Sequence, residues 1–138
     1  MIKHITYTFE ERCEFLKSAK TIAVVGISSN PDKYGRIIAE FLKKNGYNVI
    51  GVNPFIKELE NFRIYSSLVN IPEDIDIVNV FRRSEKIYEI IPDVLAKRPK
   101  LLWLQSGIRN DKAVEPVIEA GIKVIQDTCI MVQYNQCF

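Results

Sequence analysis

Histidine is almost missing from this sequence. His4 is the only one among 138 residues, and it falls in the N-terminal segment. A Ser-His-Asp set is therefore excluded, and chemistry needing a histidine in a core site has no candidate. Cysteine is scarce too. Cys13, Cys129 and Cys137 are an odd number without metal-ligand spacing. Asp76, Asp111 and Asp127 lack such spacing as well. The expectation is a reduced, cytoplasmic protein without a disulfide framework. No apolar run is long enough to span a bilayer. "MIKHITYTFEE" carries acidic residues and no apolar h-region, so no signal peptide is expected. An excess of one charge is absent: 19 basic residues against 17 acidic ones give a net +2. That balance does not argue for nucleic acid or membrane, yet it leaves room for an anionic small molecule. Glycine is also short where it would be diagnostic. "AVVGISSNPDKYG" (Ala23 to Gly35) opens like a dinucleotide-binding turn, but Ser28 and Pro31 stand where its later glycines belong.

What is present suits one domain, residues 1–138, with 1–7 as a tail. Thr8 and Glu11 have capping-box spacing, and Phe9, Cys13 and Leu16 follow on one helical face. "TIAVVG" (Thr21 to Gly26) reads as a buried strand. Ile38, Phe41 and Leu42 form an apolar stripe over about 35–45, and Asn45-Gly46 stops that helix. "YNVIGV", "DIVNVF", "LLWLQ" and "IKVIQ" are four further strands. A loose stretch containing "RIYSSLVNIP" precedes the third strand of the chain. Ser84 can cap a helix that Pro92 kinks. Asn110 begins another helix, with Pro116 inside it and Gly121 at its end. The alternation predicts an α/β fold: a Rossmann-like, doubly wound three-layer sandwich with a five-stranded, mainly parallel sheet.

Such a sheet binds ligands beyond the carboxyl ends of its strands, where the winding reverses. The residues following each strand should therefore converge. They are Gly26, Ser28, Ser29 and Asn30; then Asn53, Pro54 and Phe55; then Arg82 and Arg83; then Gln105, Ser106, Gly107 and Asn110; and last Asp127 and Cys129. This rim is polar, small or cationic. Gly26 permits a tight turn. Serine hydroxyls and a helix N-terminus suit a pyrophosphate, with Lys33 or Arg36 as its counter-charge. The plain alternative is a β–α turn in which Ser28 or Asn30 caps the backbone. Asn53 stands where NAD-binding domains carry an acidic ribose ligand, which favours a phosphorylated ribose or another pose. Arg82 directly follows a strand and suits a bidentate phosphate contact, or it pairs with a surface carboxylate. Gln105 offers amide hydrogen bonds, and Gly107 permits close backbone approach. Trp103, inside a strand, belongs to the core. Cys129 is either a buried small residue or a thiol beside the ligand.

Taken together, "VVGISSNPDKYG", "GYNVIGVNP", "DIVNVFRRSE", "LWLQSGIRND" and "VIQDTCI" resemble the small stand-alone CoA-binding-domain family. That family is similar to the nucleotide-binding domain of the succinyl-CoA synthetase α subunit. The resemblance covers the chain from about Phe9 onward. It implies coenzyme A or an acyl-CoA as the ligand. The family's phosphate loop falls on Gly26, Ser28, Ser29 and Asn30, and its basic position near Lys33. Its further elements fall on Asn53 and Pro54, on Phe81 and Arg82, and on Gln105 and Gly107. Gly35, Asn61 and Thr128 depart from the family pattern. The expected function is a non-catalytic CoA-binding or regulatory module. An NAD(P)-binding oxidoreductase-like protein and an interaction domain with a degenerate pocket stay open. So does a homodimer.

Overall fold

A computed structural model describes residues 3–138. Helix α1 (Phe9–Ser18) begins with the expected capping box: the Thr8 hydroxyl accepts from Glu11 N–H at 3.1 Å, and Thr8 N–H donates to Glu11 Oε1 at 2.8 Å. Strand β1 (Thr21–Val25), helix α2 (Tyr34–Lys44), strand β2 (Asn48–Val52) and strand β3 (Arg63–Tyr65) follow. Then come β4 (Ile77–Val80), a 3-10 turn (Ser84–Ile90), α3 (Ile91–Lys97) and β5 (Leu101–Leu104). The chain continues through α4 (Glu115–Glu119), β6 (Lys123–Ile125) and α5 (Ile130–Cys137).

The six strands are all parallel, in the order β3-β2-β1-β4-β5-β6. The architecture is the expected α/β, Rossmann-like one, with one strand more than the five anticipated. The added strand is β3, at an edge beside β2. The winding runs outward from β1 through β3 and then returns to β1 at β4, which places the switch point between β1 and β4.

Strand residues alternate between two cores, as burial on both faces requires. Ala23, Val25, Val78 and Val80 pack with Val94 of α3 and Val117 of α4. Ile22, Val24 and Trp103 face the other way, against Leu16 of α1, Leu42 of α2 and Ile130 of α5. Trp103 is wholly buried, as expected, and its indole N–H donates to the Thr128 carbonyl at 2.8 Å.

Two prolines do less than their positions suggested. Pro92 and Pro116 lie in the first turns of α3 and α4, where a missing N–H breaks no helical bond. Ser84 sits in the 3-10 turn, and its hydroxyl accepts from Arg109 N–H at 3.0 Å.

The expectation of a reduced chain without disulfides does not hold. Cys13 of α1 and Cys137 of α5 form a disulfide, 124 residues apart in sequence. The two helices pack side by side on one sheet face, and Arg12 Nε donates to the buried Gln133 Oε1 at 2.6 Å. That packing, not any sequence spacing, brings the two thiols together.

At the opposite end of the sheet from the switch point, Asp76 clamps the start of β1. Its Oδ2 accepts from Lys20 and Thr21 N–H at 2.8 and 2.9 Å, and Lys100 lies 3.2 Å from Oδ1. Burial alone would raise this carboxyl. The two main-chain bonds and the Lys100 ammonium outweigh burial and hold it below its ordinary value of 3.8. A lowered folded value means that the clamp contributes fully above the unfolded value and fades as pH falls through the folded one. Asp76→Ala is expected to cost about 1.5–3 kcal/mol at pH 7. Denaturant titrations of both proteins should converge as pH drops below the ordinary carboxylate range. A gap that persists undiminished in acid would contradict this role.

Candidate functional site

The carboxyl ends of β1, β2 and β4 surround two clefts that meet at Gly26 and Asn53. Each encloses about 390 Å³. One opens over Ser28, Ser29, Lys33 and Phe81 at the start of α2. The other is lined by Val52, Pro54, Phe55, Ser67, Leu68 and Arg82, among others.

Gly26 makes the junction possible. Its φ is +94°, and a Cβ there would lie 2.5 Å from the Phe81 carbonyl oxygen. The chain thus passes directly over the end of β4 in a conformation that disfavours side chains. Gly35, in the first turn of α2, solves a second packing problem. A Cβ on it would lie 2.5 Å from the Gly26 carbonyl oxygen. Close helix-to-strand packing is the task of the third glycine in the dinucleotide fingerprint. Here it falls nine residues after Gly26, so a search at the usual spacing passes over it.

The α2 N-terminus is electrostatically bare. Lys33 occupies the cap position and supplies no side-chain acceptor, and no acidic residue lies in the first turn. Lys33 N–H is used by the Asn30 carbonyl, and Arg36 and Ile37 N–H by the Lys33 carbonyl. The Tyr34 and Gly35 amides have no acceptor among the described residues. Both residues line the cleft. Free amides, the helix dipole and the Lys33 ammonium together favour an anion, the dipole contributing on the order of 1 kcal/mol.

The remaining loop residues mainly shape the turn. Ser28 Oγ accepts from Asn30 N–H at 3.0 Å, and Asn30 Oδ1 from Asp32 N–H at 2.9 Å. The Ser29 carbonyl accepts from Arg36 Nη1 at 3.3 Å. Asn53 ties the two loops together: Nδ2 donates to the Ile27 carbonyl at 2.9 Å, while Oδ1 accepts from Phe55 N–H at 2.8 Å. Both its amide atoms are engaged, so it positions the rim. Arg82 faces the second cleft with its guanidinium paired to Glu89 at 2.6 Å, and Glu89 lines the same cleft. Arg83 occupies the cap position of the adjoining 3-10 turn, without a side-chain capping bond.

Gln105 and Gly107 do not join this cluster, for neither lines the two clefts. Gln105 is buried, and its Oε1 accepts from Asn79 Nδ2 at 3.1 Å and from Ile130 N–H at 2.9 Å. The amide therefore anchors α5 to the sheet. Gly107 has a φ of +83° and donates its N–H to Asp127 Oδ1 at 2.6 Å. It closes a turn between the β5 and β6 ends. Cys129 is the cap residue of α5 and is partly buried.

Relatives bear on this geometry. A family model described as a CoA binding domain matches residues 20–135. The uncharacterized protein YneT of Bacillus subtilis is 40% identical over 121 residues, which span 88% of this chain and 90% of that protein. The structure of cell-free ID.343 from Thermus thermophilus superimposes with a TM-score of 0.92 at 38% identity, covering 96% of this chain and 100% of the other. The α subunit of ADP-forming acetate–CoA ligase I from Pyrococcus furiosus is 27% identical over 122 residues. That match takes in 80% of this chain but only 26% of the ligase subunit. No helix among the described residues is long and apolar enough to cross a membrane. With a family model spanning most of its length and a fold shared throughout, the chain belongs to the CoA-binding domain family.

Proposed function

We propose that the protein binds coenzyme A or an acyl-CoA, with the diphosphate at the α2 N-terminus, and that it acts as a binding module without catalysis of its own. The observation that carries this reading is the pair of uncapped amides, Tyr34 and Gly35, opening onto a cleft beside the Gly26 turn. That cleft has Lys33 and no carboxylate in its lining. The adjoining cleft, with Val25, Val52, Leu68 and Ile90, offers apolar walls to an uncharged part of the ligand. Arg82 reaches a phosphate by exchanging it for Glu89. The exchange is inexpensive, because a half-exposed ion pair contributes about 0–1 kcal/mol. The non-catalytic reading rests on the residue set: the single histidine lines a different groove, along β6.

Titration calorimetry with CoA, dephospho-CoA and NAD tests the assignment. CoA is expected to bind most tightly. NAD binding equal to or tighter than CoA would overturn the reading. Thermal denaturation gives an independent readout: CoA at about 100 times its Kd should add roughly 2.7 kcal/mol of stability.

A further inference from the structure

A cleft larger than the two at the switch point lies elsewhere on the sheet. A groove of about 450 Å³ runs along β6, between that outermost strand and the N-terminal segment 4–7. It shares no residue with the two clefts above. Four basic side chains line it, His4, Arg12, Arg109 and Lys123, and no carboxylate does. The whole chain is nearly balanced in charge, so this one-signed lining is a local property.

Two of the cations are available. Arg12 is held by Nε on Gln133 Oε1 and by Nη1 on the Tyr7 carbonyl, which leaves Nη2 without a protein acceptor among the described residues. Lys123 is in no ion pair among those residues, and its ammonium lies 5.8 Å from the Phe15 ring centroid. Arg109 is exposed and pairs with Asp111 at 3.1 Å, a carboxylate that does not line the groove.

The sheet edge supplies the second half of the recognition. Lys123 N–H donates to the Lys100 carbonyl, so in this parallel ladder Lys123 and Ile125 turn their main chain toward β5. Val124, between them, turns its N–H and C=O outward into the groove. Tyr7 of the N-terminal segment lines the groove with Val124, and an added strand takes the place of its hydroxyl there. A sheet edge of this kind accepts an added strand.

We propose that this groove docks an extended acidic segment of a partner protein, added to the sheet beside β6 with its carboxylates on Arg12, Arg109 and Lys123. The inference is independent of CoA binding.

The test is fluorescence anisotropy with a labelled, acetylated octapeptide of alternating Glu and Val. Saturable binding is expected, weakened about tenfold or more in the R109E/K123E double variant. Peptide binding should also slow amide hydrogen exchange at Val124. Melting of the double variant is recorded alongside, and R109Q/K123Q replaces it if charge reversal perturbs the fold. Any of four results overturns the proposal: no saturable binding, equal binding to wild type and variant, equal displacement by an octathymidylate, or unchanged exchange at Val124.

Discussion

Gly26→Ala should abolish CoA binding and destabilise the fold, while Gly46→Ala should leave binding intact and destabilise it far less. The two glycines share nearly the same backbone conformation, with φ of +94° and +97°. A Cβ at Gly46 meets nothing within 4 Å. Its variant therefore carries only the conformational penalty, about 1–2 kcal/mol. At Gly26 a Cβ also meets the Phe81 carbonyl oxygen at 2.5 Å, which is main chain at the end of β4 and cannot rotate away. Relief requires the β1–α2 turn to lift off the sheet. Such overpacking adds about 1–3 kcal/mol. The lifted turn also displaces the α2 amides proposed to hold the diphosphate. Denaturant unfolding and calorimetry of both variants give the comparison. Equal destabilisation of the two, or wild-type CoA affinity in Gly26→Ala, would contradict the proposed role of the turn.

Reducing the Cys13–Cys137 disulfide should have the largest effect on stability. The bond joins residues 124 apart, so it closes nearly the whole chain into one loop. On the chain-entropy scale a loop of that length restricts the unfolded state by about 5 kcal/mol. For a chain of this size that corresponds to a Tm loss on the order of 15 °C. The expected results are a large drop in Tm on adding reductant to the wild type, and no further drop in C13S/C137S. Intact-mass measurement after alkylation should find one reactive thiol, Cys129, before reduction and three after it. Three reactive thiols in unreduced protein, or an unchanged Tm with reductant, would contradict the bridge.

The buried strands were readable because burial on two faces produces unbroken apolar runs such as Ile22–Val25. β3 was not, because Arg63–Tyr65 is a three-residue edge strand with no fully buried position. α5 was missed for a related reason. Its apolar and polar residues are mixed, and only Ile130 and Gln133 are buried. Its position depends on the distant Cys13 and Gln105, which local periodicity does not encode.

The switch-point rim was legible in outline. Topology alone predicts that residues after β1, β2 and β4 meet, and Gly26, Asn53 and Arg82 line one cleft. Gln105 failed that logic because a polar residue at a strand end serves equally to satisfy buried groups. The signal that separates the two uses was Asn79, a buried amide inside the run Ile77–Val80 that needs a polar neighbour. Gly35 escaped because the turn between it and Gly26 is longer than the dinucleotide fingerprint allows. Its role follows from contact distance, which spacing rules do not contain.

The proposed seat of the diphosphate is the pair of uncapped amides, Tyr34 and Gly35, at the head of α2. A crystal structure determined with saturating CoA tests it most directly. Diphosphate oxygens are expected within hydrogen-bond reach of the Tyr34 and Gly35 N–H groups, above the Gly26 turn. A diphosphate seated elsewhere on the protein, with those two amides facing only solvent, would contradict it.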